Sequence, residues 1–177
     1  MKRLLLLIAV ASFCITSCKK PDYIKVFHDA NLYSKTVYEL NGVVMGNNFS
    51  PVVASRNYAY ATIAGYEVIA AGDPAHYRSL IGQLNGFKDV AKPFKGFAID
   101  FPYASLLAFC KVGEAVTFPE GSLRYYTDSL HQMAIAHGMP KEMISNSETY
   151  AMAVAASVIS WSKKYNYLKN RSMPNFS

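Results

Sequence analysis

The run from Ser50 to Ala71, SPVVASRNYAYATIAGYEVIAA, limits the possible folds more than any other stretch of this chain. It opens with an N-cap serine and a proline suited to the first helical position. Gly72 supplies a stop, so the pattern predicts a helix to about Ala71. Its only charged residues are Arg56 and Glu67, so most of its circumference must be buried against neighbours. Arg56, Tyr60, Ile63 and Glu67 share one side, at helical spacing. Ala54, Ala61 and Gly65 form a smooth stripe against which a second helix can pack closely. A buried Arg56 needs an anionic partner, and Glu67 lies too far along the same helix to serve. The two residues read as braces within a central helix or, alternatively, as parts of a ligand site.

The flanking segments follow the same period. Tyr23 to about Met45 reads as one helix with Asp22 as its cap. Asp73-Pro74 predicts a helix restarting over Ala75 to Leu84. Phe87 to Ala98, with Pro93 and three lysines, reads as a loop. Asp100-Phe101-Pro102 opens a helix to about Thr117, and Glu120 to His137 is the next, stopped by Gly138. Met139-Pro140 starts a short turn to Ile144. Asn146-Ser147 then caps a long helix from Glu148 to about Lys164, ending on Lys163-Lys164. The sum is an all-α bundle of about six helices. The organisation expected is a leader over residues 1–17, a tether over 18–22, a helical domain over 23–168 and a tail over 169–177.

With 177 residues, just over half of them apolar, the chain can build one core and is not expected to be disordered. The formal charge of +6 falls by two, to +4, if Lys2 and Arg3 leave with the leader. No basic run exceeds two residues, so a nucleic-acid partner is not expected. The N-terminus has a positive start, an apolar Leu4–Val10 core too short to span a bilayer, and then Ile15-Thr16-Ser17-Cys18. That ending looks like a bacterial lipobox. It implies cleavage before Cys18, lipidation of Cys18, and a membrane-anchored lipoprotein of the bacterial cell envelope. The alternative is an ordinary signal peptide cut nearby, with Cys18 an idle thiol. Cys110, in an apolar run, reads as a small buried hydrophobe rather than half of a disulfide.

Other polar candidates carry little chemistry. His28-Asp29 are helical neighbours about a hundred degrees apart and so do not orient one another. His131 and His137, six apart, fall on different faces, not at the spacing of four that a metal site wants. Lys88, Lys92 and Lys95 read as solvated. No catalytic, cofactor-binding or metal-ligating residue is assigned.

Ser50 to Tyr60 resembles the early helix of exported bacterial vanadium-dependent haloperoxidase-like proteins of the type-2 phosphatidic acid phosphatase superfamily. Gly72-Asp73-Pro74, Tyr77-Arg78-Ser79-Leu80 and Gln83-Leu84-Asn85-Gly86 look like the next part of them. So do Trp161-Ser162-Lys163-Lys164-Tyr165-Asn166-Tyr167 and Arg171-Ser172-Met173-Pro174. The resemblance runs from about Tyr23 to the end and implies the N-terminal half of that helical fold. It also implies vanadate or phosphate bound by a lysine with an Arg-Pro unit, a Pro-Ser-Gly-His stretch and a later Ser-Arg segment ending in histidine. None of these is present. Ser55-Arg56 runs on without the required glycine or histidine, and neither Lys92-Pro93 nor Arg171-Ser172 matches. The expectation is a non-catalytic helical portion, inactive alone, with the cofactor held by a missing half. It implies a truncated gene product or one half of a split enzyme. The runner-up is a helical binding or scaffold lipoprotein that associates with itself or a partner. A third reading, an independent enzyme with its own site, lacks a convergent polar cluster in the sequence.

Overall fold

The computed structural model describes residues 21–117 and 122–173. Seven helices and no strand occur among them: α1 (Tyr23–Phe27), α2 (Ala30–Gly46), α3 (Pro51–Gly72), α4 (Phe101–Val116), α5 (Ser122–Ala136), α6 (Lys141–Lys164) and α7 (Tyr167–Asn170). The all-α expectation is met. The leader, Cys18, Phe118-Pro119, Glu120 and Pro174 lie outside the described residues.

The deepest element is α4 rather than α3. Eleven of its sixteen residues are buried, because its only charges, Lys111 and Glu114, pair with each other at 3.3 Å on one edge. α3 lies along it, and the small stripe sets the distance. A Cβ at Gly65 would stand 3.2 Å from Ser105 Oγ and 3.5 Å from Phe109 Cβ, and Ser105 Oγ donates to the Gly65 carbonyl at 2.9 Å. α6 covers another side of α4, and α2 and α5 complete the bundle.

Three expected boundaries are corrected. The first helix is two, because Asp29 caps a new start, its carboxylate accepting from Asn31 N at 2.9 Å. The short turn and the last helix are one continuous α6 from Lys141. Asn146 and Ser147 do not cap. Ser147 Oγ accepts from Asp100 N at 3.0 Å, and Asn146 Nδ2 donates to the Ala98 carbonyl at 3.3 Å. Their polar groups bind a neighbouring segment, which leaves the helix free to run through.

The third correction is the expected helix over 75–84. Residues 73–100 form a long strap of turns instead. Ser79 Oγ accepts from Ile81 N at 3.1 Å, a local bond that competes with helical pairing. The strap is nailed down along its length. Tyr66 Oη donates to the Arg78 carbonyl at 2.9 Å. Trp161 Nε1 and Tyr165 Oη both donate to the Asn85 carbonyl, at 3.1 and 2.8 Å. Gly86 takes φ +66° with the Tyr165 side chain where a Cβ would project, so a larger residue there would be strained and would have to displace Tyr165. Phe87 and Val90 are buried, and Ala91 N donates to Ser157 Oγ at 3.2 Å.

Gly138 does stop α5 as expected. Its φ is +76°, and Met139 N reaches back to the Ala134 carbonyl at 3.0 Å in a Schellman closure. Among the described residues no helix is long and apolar enough to cross a membrane.

Candidate functional site

The two charges of α3 lie in different settings. Glu67 is 2% exposed. Its carboxylate accepts from Ser79 Oγ at 2.7 Å and from Leu80 N at 2.6 Å. It therefore clamps the strap to α3, and both oxygens are used.

Arg56 sits three turns earlier, among aromatic rings. Its guanidinium stands 4.9 Å from the Tyr167 ring centre and 5.6 Å from that of Tyr60, the geometry of cation–π contact. Nη2 donates to Tyr60 Oη at 2.8 Å and to the Tyr165 carbonyl at 3.4 Å. The rings hold one another edge-on: Tyr60 with Trp161 at 5.4 Å, Tyr60 with Tyr167 at 5.3 Å, Trp161 with Tyr165 at 5.9 Å. The anionic partner expected for Arg56 is absent among the described residues; ring faces and a phenol stand in for it.

Tyr167 anchors the group from below. It is fully buried, donates to the Val116 carbonyl at 2.9 Å and also meets Asn57 Oδ1. Burial pushes its hydroxyl up to about 12, against the pull of Arg171 and Arg56. Asn57 is itself fully buried, and its Nδ2 has no partner among the described residues. The chain reaches this arrangement through a left-handed turn at Asn166, φ 54°, which asparagine tolerates. Of the described residues after Lys164, Tyr167 is the buried one and joins the core. The signal was present in the Trp161, Tyr165, Tyr167 spacing.

Arg56 opens onto a cleft of about 1000 Å³ lined by Ser50 to Val53 at the start of α3, Asn47 to Phe49, and residues 170–173. A second cavity, about 550 Å³, lies among Phe27, Tyr33, Thr62, Tyr66, Tyr77 and Ser105.

The histidines are each tied to a carboxylate. His28 Nε2 lies 3.8 Å from Asp100, His76 Nδ1 2.8 Å from Asp73, His131 Nδ1 2.6 Å from Glu148, and His137 Nδ1 2.7 Å from Asp22. His28 and Asp29, adjacent in sequence, make separate contacts, His28 to Asp100 and Asp29 to Asn31. Glu148 also accepts from buried Tyr103 Oη at 2.9 Å, whose pKa is driven far up by burial and then by that carboxylate. Cys110 is fully buried, and burial pushes its thiol up to about 12. Among the described residues no three His, Cys, Asp or Glu side chains group to hold a metal ion.

A vanadate or phosphate ion is not accommodated by this set. An oxyanion needs convergent cations and a histidine. Each histidine here faces a carboxylate that repels an anion, and no histidine lines the Arg56 cleft.

No family model matches the chain, and no curated protein matches it. Among solved structures it is similar to a bacterial vanadium-dependent iodoperoxidase, at 31% identity and a TM-score of 0.74. The match covers 82% of this chain and 34% of that one, so the chain spans about a third of the length of that structure. The described helices thus have the haloperoxidase-like helical fold, as the sequence resemblance implied.

Proposed function

We propose that this chain is the N-terminal, non-catalytic helical part of an exported haloperoxidase-like lipoprotein. One observation carries the reading: the fold matches a third of an iodoperoxidase, while the 177 residues contain no Pro-Ser-Gly-His and no described cluster suits an oxyanion. Its work is then structural. It supplies a packed helical layer against which an oxyanion-binding part of such a fold is held. The lipobox-like Ile15-Thr16-Ser17-Cys18 supports acylation of Cys18 and a place in the bacterial cell envelope, on the membrane.

Two measurements test this. The purified chain, titrated with vanadate and followed by vanadium NMR, should show no saturable binding, and with vanadate, iodide and peroxide it should form no triiodide above the protein-free rate. Saturable binding or turnover by the chain alone would overturn the non-catalytic reading. Palmitate labelling in a bacterial host should mark the wild type and not Cys18→Ser; equal labelling of both would remove the lipoprotein part.

A further inference from the structure

The charged residues lining the Arg56 cleft are Arg56 and Arg171, with no carboxylate, and the sequence around both is free of acid. From Leu40 to Tyr66 there is Arg56 and neither Asp nor Glu; from Thr149 to Ser177 there are Lys163, Lys164, Lys169 and Arg171, again without Asp or Glu. All 12 acidic residues of the chain lie elsewhere. Of these five cations Arg56 and Arg171 line the cleft itself, and no carboxylate does.

Arg56 is the half-buried member. Both of its hydrogen bonds use Nη2, and no carboxylate among the described residues is within 4 Å of it. Nη1, the other tine of the fork that grips a carboxylate in two-point fashion, has no partner among the described residues. The rings of Tyr60 and Tyr167 fix the guanidinium plane beforehand, so little order is lost when an anion arrives. The start of α3 adds to this: Ser50 makes no side-chain cap bond, so the first-turn N–H groups contribute partial positive charge.

The walls are not only cationic. Phe49, Val52, Val53 and Met173 line the same cleft, and Val52 is 74% exposed. A bare inorganic ion uses none of that apolar surface; a polypeptide segment uses all of it. A membrane is the other anionic surface to weigh. Asp22 shares a small cavity with Asn31 and Leu32 at the start of α2, while Asn47, just past its end, lines the cleft. A helix of 17 residues is about 25 Å long. Asp22, near the first described residue, therefore lies towards the end of α2 opposite the cleft.

We propose that the Arg56 cleft docks an apolar segment of a second polypeptide, whose carboxylate is held by the Arg56 fork. The segment assigned to it comes from the portion of the haloperoxidase-like fold that this chain does not span, an assignment that rests on the function proposed above.

The test uses the chain from Cys18 onward, purified without lipid, and dye-labelled peptides of about 15 residues tiling the unmatched two thirds of the bacterial iodoperoxidase. Binding is followed by anisotropy. At least one tile with Asp or Glu should bind with a Kd below about 1 mM, and its Gln or Asn twin at least about tenfold more weakly. Val52→Glu places a rival carboxylate on the exposed lip, and should weaken the acidic tile about tenfold with the thermal melt unchanged. Arg56→Lys, which keeps charge but loses the fork, should weaken the acidic tile by a similar factor, with a lower melt because its bonds to Tyr60 and the Tyr165 carbonyl go too. Twins that bind equally, or a Val52→Glu variant that binds normally, would overturn the proposal. So would Arg56-dependent shifts in Trp161 emission with inorganic phosphate or phosphatidylglycerol vesicles while no peptide binds. Silence from every probe overturns it as well. Binding of unrelated Glu/Leu peptides, with no tile binding, keeps the docking cleft and removes the haloperoxidase assignment.

Discussion

Glu67→Ala tests whether a single buried carboxylate holds the strap over 73–100. The substitution removes both acceptors, leaving Ser79 Oγ and Leu80 N without their 2.7 and 2.6 Å partner. Hydrogen bonds to a charged group contribute about 1.5–3 kcal/mol each. The two donors are only partly buried and can recruit water once released, so the loss falls at the low end, about 3 kcal/mol in all. For a domain of this size that lowers Tm by roughly 6–12 °C. Urea denaturation followed by circular dichroism gives the free energy. Trypsin gives the local readout: cleavage after exposed Arg78 should speed up well before global unfolding. Ser79→Ala alone should cost about 1–2 kcal/mol, and the double variant should fall short of additivity by about 1 kcal/mol, since the two share a bond. A Glu67→Ala loss under about 1 kcal/mol, or strict additivity, would refute the clamp.

Buried polar groups set three further outcomes. Burial raises the Asp100 pKa from 3.8, against the pull of the Tyr103 amide and His28; the ionised form is therefore penalised in the fold above that raised pKa, and the penalty is relieved as pH falls towards the unfolded value. Asp100→Asn keeps the cap on α4, so its stability relative to wild type should be greatest at neutral pH and shrink in acid, whereas Asp100→Ala should lose about 1 kcal/mol of capping; urea melts at two pH values read both. Tyr167→Phe leaves the Val116 carbonyl without its bond and should cost about 1–2 kcal/mol, with an unchanged melt as the contrary result. Cys110, with its thiol raised to about 12, should resist iodoacetamide at mildly alkaline pH until denaturant is added, as mass spectrometry of its peptide would report; native labelling would refute its burial.

The local code of this chain is read well wherever a helix is written in its own residues. Pro51 and Gly72 bound α3, Phe101-Pro102 opens α4, and Gly138 closes α5, because caps, proline and glycine act on adjacent backbone. The small stripe of α3 is legible for the same reason: helical spacing alone puts Ala54, Ala61 and Gly65 on one side. Where side chains reach across the molecule, the sequence was silent. Asn146 and Ser147 look like caps and instead tie down residues 98–100. Asp73-Pro74 looks like a helix start, yet Glu67 and Ser79 hold residues 75–84 in turns. Arg56 called for an anion, and only the packing brought two tyrosine faces to it instead. Those choices depend on which distant polar group wins each donor and acceptor, and that is settled when α3, α4 and α6 close on one another.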